Sequence, residues 1–338
     1  MKVLAGDIGG TKTLLHIAHV EDRRCDVLHQ RSYRSQDYGD FDSLLSDFLE
    51  YAPITARSEL NYACFGVAGP VSGPEHGHRH AKITQLPWRM DSLALQATHH
   101  LARVRLINDF HAVAAGIDAL GPDDLAPLNT VRAQAQAPRL VVGAGTGLGV
   151  AQLMWVDGAY RIFPSEGGHI HFAPTDTVQM ELLKHLQQVY GRVSCERVVS
   201  GPGLVDIFRF LGMAQREAAA PLLTNVTNPD PAAVIAARAE TGDPLARRAI
   251  QLFISIYGAI TGDLALVNLA YGGIYLAGGI APKLLRAFTL DDFMAAYREK
   301  GRMSGLVNNM PVSVILNSHV GLFGATLLAA DLRESAVD

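Results

Sequence analysis

The stretch AGDIGGTKTLLHIAHV, residues 5–20, decides how this chain is read. Gly6 is followed, after four residues, by Thr11, Lys12 and Thr13, so Thr11 stands where a Walker A loop needs its second glycine. A Walker A loop also leads from a strand into a helix whose N-terminus helps hold the phosphates. Here KVLAG (2–6) reads as a buried strand and TLLHIAHV (13–20) as a second one, so the glycines join two strands. A phosphate held there meets the backbone N–H groups of a hairpin turn, where glycine permits close approach and positive φ. A tight hairpin without a ligand is the competing reading of any single turn of this kind.

Outward from that turn, DVLHQRSYR (26–34) reads as a third strand. Phe41, Leu44, Leu45, Phe48 and Leu49 form one helical stripe, and NYACFGVAG (61–69) and RVRLIND (103–109) are short apolar strands. Strands interleaved with helices indicate an α/β fold. The pattern restarts at RLVVGAGTGLGVAQLMWVDG (139–158): Gly6 falls on Gly143 and Gly10 on Gly147 at one shift, which suggests two related halves. The second turn fails as a dinucleotide fingerprint, because the third glycine would fall on Val150. Residues 243–270 read as a buried helix broken near Gly258 to Gly262. Residues 272–285 read as a strand entering Gly278-Gly279 and then a helix, and 312–318 and 319–334 as a last strand and helix. VRAQAQAP (131–138) and LLTNVTNPDPAA (222–233) read as surface connections.

The 338 residues suffice for two domains, and 49% hydrophobic with 18% charged residues fits a compact chain. A net charge of -4 argues against a nucleic-acid partner, and the absence of a long unbroken apolar run argues against a membrane one. Cys25, Cys64 and Cys195 are scattered and odd in number, and the start lacks a leader-like apolar region, which fits a reduced, cytoplasmic setting.

Two glycine turns at matching places, followed by LAGGI after a late strand, resemble the two phosphate turns and the adenosine motif of the sugar-kinase, actin and heat-shock-chaperone ATPase superfold. More closely, INDF, GAGTGLGVA, SEGGHIHFAP, CERVVSGPGL and LAGGIAPK, in that order between about Leu4 and Leu328, resemble the bacterial glucokinase family. The resemblance implies a two-lobed actin-like (ribonuclease-H-like) α/β fold with a duplicated mixed-sheet core and a central cleft. It implies a small α/β domain of residues 1–109 plus 319–338 and a large α+β domain of 110–318. It implies ATP-dependent phosphorylation of D-glucose at the 6-hydroxyl, the first step of glycolysis, and a homodimer. The alternatives are another hexose or amino-sugar kinase of this superfold, or a sugar sensor that transfers nothing, which would not need Asp109.

Asn108 and Asp109 stand where an apolar strand stops, the usual ligand position in α/β proteins. Phosphoryl transfer to a hydroxyl needs a carboxylate to accept its proton, and Asp109 is the candidate base, worth roughly 10²–10⁴ in rate; its bland reading is a cap on the following helix. By resemblance, Asn108, Glu166, His169 and Glu196 surround glucose. Without that resemblance, Glu196 beside Arg197 reads as a surface ion pair, and His169-x-His171 as a strand pair with one imidazole buried. Gly6, Asp7, Ile8, Gly9, Gly10 and Thr11, with Gly145, Thr146 and Gly147, are expected to cradle the ATP phosphates, and Gly278 and Gly279 to lie near the adenosine. Asp7 is suited to hold Mg²⁺ through water, and Lys12 to neutralise phosphate charge.

Three features depart from the family or stand outside it. The chain has no cysteine-rich zinc motif. ITQLPW (83–88) carries Gln85 where many glucokinases have asparagine, which bears on the wall of the sugar site. PEHGHRHAK (74–82) alternates His76, His78 and His80, a spacing at which nickel or zinc could bind, but which is expected as incidental histidines at an exposed hairpin tip.

Overall fold

A computed structural model describes residues 1–74, 77–214, 230–288 and 291–333. The chain forms two compact units, Met1–Pro122 together with the chain from Asn317 onward, and Asp123–Leu316.

In the first unit the leading strand β1 (Lys2–Ile8) pairs antiparallel with β2 (Lys12–Glu21), which pairs with β3 (Arg24–Arg34). β1 also runs parallel to β4 (Tyr62–Val67). A small antiparallel sheet follows, of β5 (Val71–Ser72), β6 (His80–Lys82) and β7 (Arg89–Asp91). β8 (Arg103–Asn108) then joins β4, giving the order β3-β2-β1-β4-β8. Both faces of this sheet are covered. Leu4 and Ile8 pack with Phe41, Leu44 and Phe48 of the helix Phe41–Tyr51, while Val3 and Ala5 pack with Leu322, Ala325 and Ala329 of the helix Val320–Asp331. Two-sided burial explains why TLLHIAHV does not alternate: Leu15 and Ile17 enter one core, Leu14 and Val20 the other.

The second unit repeats the plan. β9 (Leu125–Pro127) is an edge strand. β10 (Arg139–Ala144) pairs antiparallel with β11 (Leu148–Val156), and β11 with β12 (Ala159–Ser165). β10 runs parallel to β13 (Gly273–Ala277), which neighbours β14 (Val312–Ile315), so the order is β12-β11-β10-β13-β14-β9. Gly6 and Gly143 occupy equivalent places, each near the end of a strand with an antiparallel partner on one side and a parallel one on the other. The two related halves suggested by the glycine spacing are present, and with them the duplicated mixed-sheet core that the family resemblance implies.

One expectation is overturned. The helix Pro244–Asn268 is unbroken through Gly258 and Gly262. Those glycines mark close approach instead: a Cβ at Gly258 would strike the Phe293 carbonyl, and one at Gly262 that of Tyr297, both on the neighbouring helix Asp292–Arg298. This helix is long and apolar enough to cross a membrane, but 67% of its most apolar stretch is buried inside the protein. Of the segment 222–233, residues 222–229 lie outside the described residues; 131–138 is an irregular connection, as expected.

Candidate active site

In the first unit, β1 delivers Asp7 to the mouth of the first glycine turn. The Gly9 N–H donates to the Lys12 carbonyl at 3.0 Å, closing the turn as a hairpin and not as a helix start. Ser35 Oγ donates to the Gly9 carbonyl at 2.7 Å and lies 2.9 Å from Thr13 Oγ1, so a buried hydroxyl pair braces the turn from behind. The glycines divide by duty. A Cβ at Gly6 would strike Leu15, Phe65 and Ile8, so Gly6 serves packing. Ile8 is buried in the core and its carbonyl accepts the Ala68 N–H at 2.9 Å. Thr11 and Lys12 are exposed. Gln85 packs on this turn: a Cβ at Gly10 would lie 2.6 Å from that of Gln85.

β8 ends at Asn108, whose Oδ1 accepts the Phe110 N–H at 2.9 Å and whose Nδ2 donates to the Gly69 carbonyl at 3.3 Å. Asn108 is therefore the cap of the helix Asp109–Gly116, and Asp109 is relieved of that duty, although its own Oδ1 also accepts from Phe110 N–H at 2.8 Å. Burial holds the Asp109 carboxyl above the usual carboxylate range, against the pull of hydrogen bonds from Phe110 and Asn108. Asp7 is pushed up to about 6, first by burial, then by the charge of Asp109, with Lys12 opposing.

In the second unit the turn of Gly145, Thr146 and Gly147 repeats the hairpin, with Gly145 N–H donating to the Gly147 carbonyl at 2.9 Å. Glu196 lies against it: Oε2 accepts the Leu148 N–H at 3.0 Å, and a Cβ at Gly147 would sit 2.5 Å from that oxygen. His169 stands between two carboxylates, Nδ1 being 3.9 Å from Glu196 Oε1 and Nε2 3.7 Å from Glu166 Oε2. Arg192 fixes this loop by donating to the His169 carbonyl at 2.6 Å. Both bland readings from sequence fail. Gly167–His169 is a 3₁₀ turn with His169 and His171 exposed, and Arg197 stacks on the Tyr190 ring at 4.0 Å.

Beside the same turn is a cavity of about 640 Å³, lined by Gly145, Thr146 and Gly279 and by apolar groups that include Val205, Ala236 and Ile280. Gly278, at φ +84°, packs on the Ala144 carbonyl and directs the chain so that Gly279 faces the cavity. The cavity walls went unread in the sequence, because apolar helix positions look alike whether they face a core or a ligand.

A family model described as Glucokinase matches residues 4–332. The glucokinase of Nostoc sp. (strain PCC 7120) is 41% identical, with 98% of this chain and 99% of the relative covered. That of Synechocystis sp. (strain PCC 6803) is 38% identical, with 97% of each covered. The chain belongs to the glucokinase family. Its fold agrees: the crystal structure of a glucokinase from an Antarctic psychrotroph is 26% identical and superposes with a TM-score of 0.84 over 98% of this chain and 99% of that one. A glucokinase reading makes sense of a carboxylate seated on a glycine turn beside a mostly apolar cavity.

Proposed function

We propose that this protein phosphorylates D-glucose on its 6-hydroxyl, with ATP as the phosphoryl donor. The observation that carries this reading is the Glu166, His169 and Glu196 cluster built onto the second glycine turn. Carboxylates and an imidazole answer the paired donor and acceptor character of neighbouring sugar hydroxyls, each charge-assisted bond being worth about 1.5–3 kcal/mol. Asn108 adds an amide to this set. Asp109 accepts the proton of the 6-hydroxyl as that oxygen attacks the γ-phosphoryl group. Burial raises its proton affinity above that of an ordinary carboxylate, which suits it to the task.

The cavity beside Gly145, Thr146 and Gly279 has the size and apolar lining for an adenosine, and Gly9, Gly10, Thr11 and Gly147 offer turn backbone to the phosphates. The proton affinity of Asp7, raised by burial and by Asp109, fits a divalent cation nearby, since a cation relieves both causes. Asp7 would hold Mg²⁺ through water, and the ion when bound offsets phosphate charge. A homodimer is expected from the family resemblance, and sedimentation of the purified chain checks it.

The test is a coupled phosphorylation assay over a hexose panel, beside Asp109→Asn. Turnover with glucose well above other sugars, lost in the variant while glucose still binds, is the expected result. Full activity in the variant removes Asp109 as the base. Preference for another hexose moves the sugar assignment and leaves the chemistry standing.

A further inference from the structure

The alternating histidines of the 74–82 segment acquire a partner that the sequence spacing does not reveal. His80 on β6 is the cross-strand partner of Asp91 on β7. His78 lies two residues earlier, in the chain leading into that strand. His78 Nε2 is 2.9 Å from both Asp91 oxygens, His80 Nδ1 is 3.3 Å from Oδ2, and the two rings are 4.3 Å apart. One ligand-type atom from each of the three lies within 4.8 Å of the others. His76 lies outside the described residues.

We propose that His78, His80 and Asp91 form a binding site for a divalent transition-metal ion of the zinc, nickel or copper class, separate from the phosphoryl-transfer site. Tetrahedral coordination at about 2.0–2.2 Å needs ligand atoms roughly 3.3 Å apart, close to the spacing already present. The carboxylate is oriented from behind: Oδ1 accepts the Leu93 and Ala94 N–H groups at 2.9 and 3.0 Å as the cap of the helix Ser92–His99, which leaves Oδ2 to face both imidazoles. The histidine backbone is held as well. Arg79 N–H donates to Ser92 Oγ at 2.9 Å, Ser92 N–H donates to the Arg79 carbonyl at 3.0 Å, and Gly73, at φ +105°, packs on the His78 carbonyl. A groove of about 410 Å³ lined by Ser72, His80, Lys82, Arg89 and Asp91 leaves room for water to complete the coordination. Two imidazoles and one carboxylate favour borderline metals over Mg²⁺, which prefers oxygen ligands. Both coordinating ring nitrogens must be free of protons, so affinity falls in acid.

The test is calorimetric titration of chelator-stripped full-length protein with Zn²⁺ in excess Mg²⁺, followed by Co²⁺ absorption, beside the double variant His78→Ala/His80→Ala and Asp91→Asn. Asparagine keeps an oxygen for the helix cap. Saturable one-to-one Zn²⁺ binding is expected in the wild type. It should be lost in the double variant, and weakened in Asp91→Asn by more than the roughly 10–100-fold that losing an outer-shell partner costs. The unfolding temperature should rise with Zn²⁺ only where binding survives. The double variant replaces exposed side chains and should keep its glucose phosphorylation rate. Absence of saturable binding, or binding that the double variant retains unchanged, overturns the proposal.

Discussion

Glu196 accepts a hydrogen bond from the Leu148 amide at 3.0 Å, which seats its carboxylate, proposed above to bind the sugar, directly on the second glycine turn. A methyl group at Gly147 would lie 2.5 Å from Glu196 Oε2 and 3.3 Å from its Cδ, so turn and carboxylate cannot both stay in place. Gly145 differs, since nothing in the protein lies within 4 Å of its added Cβ, which has the neighbouring cavity to enter. Gly147→Ala should therefore lower kcat/KM for glucose at least tenfold, about 1.4 kcal/mol of transition-state binding. Gly145→Ala should raise the KM for ATP and leave that for glucose near wild type. Steady-state kinetics with each substrate varied in turn checks both, and equal effects on glucose would break the distinction.

Asp7 sets function against stability. Its folded carboxyl has a pKa of about 6 against an ordinary 3.8, so the native state binds the proton more tightly than the unfolded one. The contribution of this group to stability therefore falls as pH rises from about 4 to about 6 and stays low above that. At 1.36 kcal/mol per unit, the cost at neutral pH is at most about 3 kcal/mol. Asp7→Asn should thus raise the denaturant midpoint at pH 7 and lose that advantage toward pH 4, while phosphorylation collapses. A variant no more stable at pH 7 than the wild type contradicts this account.

Much of the frame was legible because glycine and strand patterns are local. The turn at Gly9-Gly10, its repeat at Gly145–Gly147 and the stripe Phe41–Phe48 follow from neighbours in sequence. What stayed hidden depends on contacts between distant residues. The glycines of residues 258–262 read as a helix break because their reason lies on another helix, at Phe293 and Tyr297. Strands β5 to β7 are only two or three residues long and carry polar side chains, so no alternation announces them. Gln85, marked in sequence as part of the sugar wall, packs on Gly10, and Asp91 gave no sign of facing His78 and His80. Asn108 and Asp109 stand out in the sequence at a strand end, but only the structure shows that Asn108 is the residue that caps the following helix.

A buried imidazole should make the first unit acid-sensitive. His16 lies 2.6 Å from Thr326 Oγ1, and that hydroxyl donates its own proton to the Leu322 carbonyl at 2.8 Å. The threonine oxygen must therefore accept, which places the proton of neutral His16 on Nε2 and leaves Nδ1, buried with no partner among the described residues, as a bare acceptor. Burial, followed by His319, lowers the pKa from 6.5 to about 4. The unfolded chain binds this proton more tightly, so the stabilising contribution is complete above about 6.5 and disappears as pH falls toward 4, by up to roughly 3 kcal/mol. Denaturant midpoints measured from pH 7 to pH 4 should fall less steeply in His16→Leu than in the wild type. Parallel slopes would show that His16 does not govern the acid transition.

Close packing at Gly258 and Gly262 outweighs helix propensity. Replacing a mid-helix glycine by alanine should gain about 1 kcal/mol from the backbone alone. Here the new methyl meets a backbone carbonyl that cannot turn away, that of Phe293 or Tyr297, and at Gly262 it meets the Lys300 side chain as well. The opposing helix is anchored: Phe293 and Tyr297 are fully buried, Tyr297 Oη donates to the Val307 carbonyl at 3.0 Å, and Lys300 Nζ donates to the Ala259 carbonyl at 2.9 Å. Overpacking against a fixed wall costs about 1–3 kcal/mol, more than the propensity gain offsets. Gly258→Ala and Gly262→Ala should both lower the urea midpoint. Gly305→Ala, with nothing within 4 Å of the added carbon, should leave it unchanged or raise it slightly. A rise in all three would mean that the two helices separate easily, and that the glycines are tolerated there instead of required.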